Sequence, residues 1–456
     1  MKNTILIGAL AMVLAPVVVH AQAASPVAAQ ASPKPARFLT LDAALAGAKR
    51  ANRTLAVEKA RLAGAQTNVE QAWAALFPII TAQGRYTHNY KNATLDFGGL
   101  FTALGYPPKT TPGMGGALTP TILKQEQLDA SINATMPLIA PAAYSGLDAV
   151  KKGVRSSEAS YDASESNVLL NVAQVFFLAA AADEVLVSRQ SNITVSRATL
   201  ENAKTRFAAG TVTKVDVDRA ELAVVRAQQI ALDAEYARQQ SYRALATLMQ
   251  DDVPFKVVPP EVPLKTPAES FDESLKRRPE FRALILSEES ADATRRAYGW
   301  RWAPQLSGFA RANIGNYIGF TGDRYAWAVG LQLDWTLFDG GTRDAQRHLA
   351  AAQAAQAEAQ SQVLADSIRD DLENGRVYLE TKRAALVASL RAVTLAQETL
   401  ELVRSQYEAG TVTQVDLLQA QDNLVSAQEA LAQARFDVSV ADVNLRHAAG
   451  TFPGKP

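Results

Sequence analysis

The residues of this chain whose types and spacing could do chemistry are two aspartates. Asp216 and Asp416 each follow a threonine by three positions, in Thr213-x-x-Asp216 and Thr413-x-x-Asp416. At a helix start this is a capping-box-like arrangement, in which threonine and acid satisfy free backbone N–H groups reciprocally. A carboxylate there also complements the positive end of the helix dipole. The other candidates are weaker. Four histidines, His20, His88, His348 and His447, are scattered, and no HExxH, nucleophile elbow or phosphate-binding glycine loop accompanies them. His348 and His447 read as solvated helix residues rather than metal ligands. Five methionines, with Met1 and Met12 among them, form no relay for a soft metal. No enzyme activity, metal or cofactor is expected.

The aspartates lie inside a duplication. Residues 206–221, RFAAGTVTKVDVDRAE, return 200 positions later as QYEAGTVTQVDLLQAQ at 406–421. So long a period exceeds those of solenoids and propellers, so the repeated unit is half a protein. The stretch after Pro141 up to Gly210 has neither proline nor glycine between Gly153 and Gly210, and that from Thr342 to Gly410 is interrupted only by Gly375. Each stretch predicts a helix about 100 Å long at about 1.5 Å per residue. After each turn comes a second helix with a heptad seam: Leu424, Ala427, Leu431, Ala434, Val438, Ala441 and Leu445 in one copy. In the other the seam is Ala220, Val224, Ala227, Ala231, Ala234, Ser241 and Leu245, broken at Arg238. Alanine at one seam position lets helix backbones approach closely, which predicts tight coiled-coil hairpins.

Four further segments alternate with period two over roughly the 9–11 residues of a tilted membrane strand. Ala82, Gly84, Tyr86, His88 and Tyr90 oppose Thr81, Gln83, Arg85 and Thr87; Leu128, Ala130, Ile132, Ala134 and Met136 oppose Asp129, Ser131, Asn133 and Thr135. Leu306, Gly308, Ala310, Ala312 and Ile314 oppose Gln305, Ser307, Arg311 and Asn313, with Phe309 as the exception on the polar face. Trp327, Val329, Leu331, Leu333, Trp335 and Leu337 oppose Gln332, Asp334 and Thr336. Each copy thus contributes one hairpin. Trp327 and Trp335, with Tyr86 and Tyr90, fit aromatic girdles facing lipid, while Arg85, Asp129, Arg311 and Asp334 suit a wet lumen. A soluble antiparallel sheet shows the same alternation. That alternative makes the chain a periplasmic or surface coiled-coil rod with a β oligomerisation head. Four strands cannot close a barrel, and an open edge in lipid leaves backbone groups unsatisfied, so a membrane sheet requires several copies. Eight strands would leave an interior filled by side chains, and twelve a channel.

The chain ends set the compartment. Lys2, the apolar run Ile5 to Val19 and Ala21-Gln22-Ala23 read as a cleaved signal peptide over 1–23. Elsewhere no run reads as apolar enough for a membrane helix. There is no cysteine, which excludes disulfides and an acylated N-terminal anchor, and 46 acids balance 46 bases, which gives no reason to expect a nucleic-acid partner.

These features together resemble the TolC-like outer-membrane efflux proteins. LTLDAALAGAKRANRTL at 39–55 is similar to that family's opening segment, RRPE at 277–280 to the start of its second half, and WTLFDGG at 335–341 to its strand-to-helix junction. The paired AGTVT turns, each followed shortly by VD, complete the set. The resemblance implies a mixed α and transmembrane β fold: long coiled-coil hairpins forming an α-barrel, and four strands per chain given to a twelve-stranded barrel of a homotrimer. It implies a passive outer-membrane duct, docked to a periplasmic adaptor (membrane fusion) protein and an inner-membrane pump, that carries small molecules or a secreted polypeptide. It divides the chain into a low-complexity segment at 24–37 and a first repeat at 38–250 with its strand hairpin at about 80–138. A proline-rich, irregular equatorial linker follows at 251–275. The second repeat occupies 276–450 with its hairpin at about 304–338, and a tail closes the chain at 451–456. The long connection from Lys91 to Gln127 becomes an extracellular loop. The turns Gly210, Thr211 and Val212, and Gly410, Thr411 and Val412, become the adaptor-docking tip. Asp416 falls on a position whose carboxylates form a constricting ring, and Tyr407 and Asp216 on positions that latch neighbouring helices. Gln419 stands where a second acid can occur and Val412 where a basic latch residue can occur. Asp218 is the candidate compensating charge.

Overall fold

The computed structural model describes residues 37–94, 97–105, 121–261, 270–316 and 323–453. The expected signal peptide and most of the low-complexity segment lie outside these. In chain order the elements are β1 (Arg37–Leu39), α1 (Leu41–Ala51), α2 (Arg53–Ala74), β2 (Ile79–His88), β3 (Ala93–Thr94), α3 (Phe97–Ala103), β4 (Thr121–Leu123), β5 (Glu126–Ile139), α4 (Pro141–Ala208) and α5 (Lys214–Met249). There follow β6 (Phe255–Val257), α6 (Phe271–Arg277), α7 (Pro279–Gly299), β7 (Gln305–Gly315), β8 (Tyr325–Asp334), α8 (Thr342–Glu408) and α9 (Gln414–Ala448). Helices α4 and α8, of 68 and 67 residues, are the two long rods expected, each about 100 Å.

Helices α2 and α7 lead into the strands, and α5 and α9 follow the turns at the other end. Near the strands the packing order is α2, α4, α7, α8; near the turns it is α5, α4, α9, α8. The layer is four helices wide along its length. The predicted seams lie inward over most of their length: Ala220, Val224, Ala227, Ala231, Ser241 and Leu245 are buried, as are Ala434, Val438, Ala441 and Leu445, whereas Ala234, Leu424, Ala427 and Leu431 are half-buried and Val425 and Ala432 are buried beside the last three. Arg238, the break in the first seam, donates from Nε to Asp183 Oδ1 on α4 at 2.6 Å and stacks on Tyr242. An ion pair fills that layer instead of an aliphatic side chain.

The main core lies midway, where Leu39, Ala44, Leu45, Phe176, Phe177, Leu245, Phe255 and Val257 pack together. Here the linker departs from the irregular chain expected at 251–275. Phe255–Val257 pairs in parallel with Arg37–Leu39, and α6 begins at Phe271. Alternating exposure of Phe255, Lys256 and Val257 explains the strand, with both apolar residues reaching the core. α4 contains an 18-residue window of mean hydropathy 1.6, long and apolar enough by composition to cross a membrane, contrary to the expectation that no run beyond the signal peptide is. Its Leu169, Val172, Ala173 and Phe176 are instead spent on this core.

His447 is largely enclosed rather than solvated, its side chain 10% exposed. It sits beside Arg278, which pairs with Asp371 at 3.2 Å and Glu280 at 3.4 Å. Arg278 and Pro279 belong to the RRPE motif, Arg278 as the residue between α6 and α7 and Pro279 as the first residue of α7. Proline is suited to that first position because its missing N–H would have had no helical partner. The C-terminal tail is docked as well, with Phe452 in the core.

The strands form one antiparallel sheet in the order β2-β5-β7-β8. Its register aligns polar with polar across the first three strands, where Gln83 faces Ser131 and Ser131 faces Asn313, with the small Ala326 next on β8, while on the other side Ala82, Ile132, Ala312 and Trp327 line up. Phe309, out of place by polarity, faces Gly330. A Cβ on Gly330 would stand 2.9 Å from the Phe309 ring, so the absent side chain makes room for the aromatic. The fourth strand ends at Asp334, short of the expected Leu337. Trp335 leaves the ladder because its Nε1 donates to the Trp302 carbonyl at 3.2 Å, and the chain then turns at Gly340 and Gly341 into α8. Asp339 of WTLFDGG accepts from the Arg343 N–H at 3.0 Å, which fixes that junction.

Candidate functional site

At the end of the rod farthest from the sheet, the two AGTVT turns repeat each other bond for bond. Gly210 and Gly410 have φ of +71° and +78°, the left-handed conformation that closes a helix C-terminus at least cost for glycine. Thr211 N–H donates to Arg206 O at 2.9 Å and Thr411 N–H to Gln406 O at 3.0 Å; each threonine hydroxyl donates to the same carbonyl at 3.0 Å. Both aspartates then cap. The Asp216 carboxylate accepts from Thr213 N–H at 3.0 Å and its hydroxyl at 2.8 Å; the Asp416 carboxylate accepts from Thr413 N–H at 2.9 Å and its hydroxyl at 2.6 Å. The Thr413 hydroxyl, followed by the Thr413 N–H, holds the Asp416 carboxyl below its usual range. Asp416 thus remains an anion in mildly acidic solution.

Around the turns the copies differ. Tyr407 is 5% exposed, and its counterpart Phe207 is 48% exposed. Arg206, on the last turn of α4, donates from Nη1 to Tyr407 O and from Nη2 to Glu408 O, each at 3.0 Å, with its guanidinium 4.5 Å from the centre of the Tyr407 ring. Gln414 donates from Nε2 to the Asp216 carbonyl at 2.9 Å. Tyr407 and Asp216, named as latch positions, are not hydrogen-bonded to each other among the described residues, the Asp216 carboxylate being taken by its Thr213 cap. Among the described residues the Tyr407 hydroxyl meets no hydrogen-bond partner, while Asp216 lies 3.7 Å from Arg219. Gln419 donates to Asn423 at 3.0 Å on the exposed surface, Asp218 is exposed, and Val212 and Val412 are half-buried. Arg206 and Gln414 were not singled out by sequence reasoning. Their signal was available, because Arg206/Gln406 and Lys214/Gln414 are positions where the matched repeats disagree.

The sheet carries the second set of sites. Arg85 and Asp129 pair at 3.7 Å, Arg311 donates from Nε to Asn133 at 3.0 Å, and Gln332 donates to Asp334 at 3.0 Å, all on the polar face. The other face exposes Ile80, Tyr86, Leu128, Ile132, Ile314, Trp327, Val329, Leu331 and Leu333. Tyr86 hydrogen-bonds Glu126 near the hairpin end of the sheet, and Tyr90 lies just beyond β2, fully open. With Trp335 at the helix end, aromatics flank the apolar face at both borders. No cluster of three or more His, Asp or Glu able to hold a metal occurs among the described residues.

A two-part sequence profile described as outer membrane efflux protein matches residues 45–249 and 271–451, one part per repeat. The chain belongs to the outer membrane efflux protein family. Among its relatives, the outer membrane efflux protein BepC of Brucella suis is 28% identical over 294 residues, which is 63% of this chain and 64% of BepC. The outer membrane protein TolC of Vibrio cholerae is 27% identical over 352 residues, covering 72% of this chain and 78% of TolC. The fold is that of VceC, an outer membrane protein of Vibrio cholerae, with a TM-score of 0.73 over 90% of this chain and 96% of VceC at 20% identity.

Proposed function

We propose that this chain is one protomer of a passive exit duct, a homotrimer whose sheets close a twelve-stranded barrel in the outer membrane and whose helices form a tube through the periplasm. The observation that carries the reading is that both layers stop at matching open flanks. The sheet ends on the free edges of β2 and β8, and the helical layer on α2 and α5 at one side and α8 at the other. The free helical flanks are apolar at intervals, with Leu222, Val225, Leu232 and Tyr236 exposed on α5 and Val363, Val387, Leu395 and Leu402 on α8. A head-to-tail contact of α8 and β8 on the next copy's α5, α2 and β2 repeats the internal order and closes by rotation. Twelve strands leave an aqueous lumen, which the charged polar face suits. The exposed apolar face then meets lipid, bordered by Tyr86, Tyr90, Trp327 and Trp335, and no backbone group is left open to hydrocarbon.

A duct of this kind holds no energy source, so transport requires an inner-membrane pump and a periplasmic adaptor that grips the turns at Gly210 to Val212 and Gly410 to Val412. Three Asp416 carboxylates around a narrow mouth attract cations and repel anions through their summed field. Native mass spectrometry of the detergent-purified protein, followed by conductance in a planar bilayer, tests the reading. A trimer with small cation-selective currents is expected; a water-soluble species that conducts nothing would return the chain to a structural rod.

A further inference from the structure

We propose that Arg206 is a clamp between the two helical hairpins of one chain and that it sets how far the mouth opens; the second half of this statement rests on the exit-duct reading. The two bonds from Arg206 to the carbonyls of Tyr407 and Glu408 add a charged donor to the last carbonyls of α8, of which that of Tyr407 also accepts from the Gly410 N–H at 3.1 Å. They also place a cation on the negative end of a 67-residue helix. The flat guanidinium does this while lying on the Tyr407 ring, a combination that needs arginine's planar fork.

The duplication supplies an internal control. Gln406 occupies Arg206's position in the other copy and Phe207 occupies that of Tyr407, so the clamp runs in one direction only. Gln414 answers it from the second hairpin by donating to the Asp216 carbonyl. Above the turns, α4 and α9 are joined by polar pairs, Thr199 with Gln421 at 2.8 Å and Ser188 with Gln428 at 2.7 Å. Each hairpin is zipped internally by an alanine and aliphatic seam, whereas toward the turns the two hairpins meet through these hydrogen bonds, the apolar packing of Phe436, Val440 and Val443 on the α4 core lying farther up. That interface is the one able to part, and Arg206 sits at its open end.

The chain has no cysteine, so Ala209→Cys with Ala409→Cys accepts spin labels only at the two turns. Pulsed dipolar distances in the intact detergent-solubilised protein should lengthen and broaden in Arg206→Ala. They should shift partly in Arg206→Lys, whose point charge serves one carbonyl, and stay unchanged in Gln406→Ala, the matching position of the other copy. Without the labels, Arg206→Ala should raise the open occupancy in bilayers by about ten-fold, the equivalent of one charge-assisted hydrogen bond. Unchanged distances in Arg206→Ala would overturn the clamp, and so would a Gln406→Ala effect equal to that of Arg206→Ala. If Asp416→Asn alters conductance and Arg206→Ala does not, the duct stands and the clamp falls. If the unmodified protein does not conduct at all, the duct reading falls and takes the control of its mouth with it.

Discussion

Replacing Gly410 by alanine should loosen the second turn by an amount that the backbone alone decides. At φ of +78° a Cβ would meet no atom within 4 Å, so no steric clash with a neighbour contributes. What remains is the left-handed conformation, which costs an L-residue roughly 1–2 kcal/mol. Alanine recovers roughly 0.4–1 kcal/mol through the reduced freedom of the opened chain, leaving about 1 kcal/mol. That is about five-fold in the opening equilibrium. The amides of Gly410 and Thr411, bonded to Tyr407 O and Gln406 O at 3.1 and 3.0 Å, are the reporters. Hydrogen exchange of tip peptides, followed by mass spectrometry in detergent, should show them about five-fold faster in Gly410→Ala and nearer to the parent in Gly410→Asn, since asparagine tolerates this conformation. Gly210→Ala, at φ of +71° and also in open space, should give the same acceleration in its own turn. Acceleration at one turn and not the other would refute the reasoning, because the two share a backbone and differ only in what surrounds it.

Three other outcomes are expected. Asp416→Asn should reduce cation selectivity, read as a reversal potential, while Asp216→Asn should not; equal effects would reduce both residues to caps. Because the folded-state pKa of Asp416 is depressed, its stabilising contribution is present above the unfolded value of about 3.9 and is lost only as pH falls through the lower folded value, so selectivity should persist from neutral to mildly acidic pH. Burial lowers the pKa of His447 against the opposing pull of Glu280, with Arg278 and Asp371 also facing it. Its contribution to stability is therefore present above about pH 6.5 and lost as pH falls through the folded value, and His447→Gln should flatten thermal stability measured between pH 8 and 5. Gly330→Val should drive the Phe309 ring off the sheet and lower the yield of the heat-modifiable folded form on gels, with Phe309→Ala restoring it; no restoration would mean the ring is not the obstacle.

The long helices and the four strands were legible because each is written in a period, 3.5 for the seams and 2 for the sheet, that needs no knowledge of partners. What could not be read depends on residues distant in the chain. Phe309 breaks the alternation, and only its pairing with Gly330 on the next strand explains it. Arg238 breaks the seam because Asp183 waits on α4. His447 carries no local sign of burial, since the residues that enclose it come from α7 and α8. The strand limit at Asp334 follows from the indole of Trp335 turning back to Trp302, which alternation alone cannot register. At the tip, the capping boxes were visible in the Thr-x-x-Asp spacing. The direction in which Arg206 reaches was not, because it depends on how two distant copies of one motif are set side by side.

The sheet order also fixes the sequence of events in making the molecule. The β2–β5 and β7–β8 pairs and both helical hairpins join segments within one repeat, but β5 meets β7 only after the whole of α4 and α5 has intervened. Closing so large a loop is slow relative to local zipping. The coiled-coil arms therefore assemble in water first, and the central strand pairing waits until the second half of the chain has been delivered. Until then the apolar sheet face exists only as two separate hairpins, each too small to be stable by itself. On the exit-duct reading proposed above, entry into lipid is thereby deferred to the last stage of maturation, after the rods are already in place to align the strands.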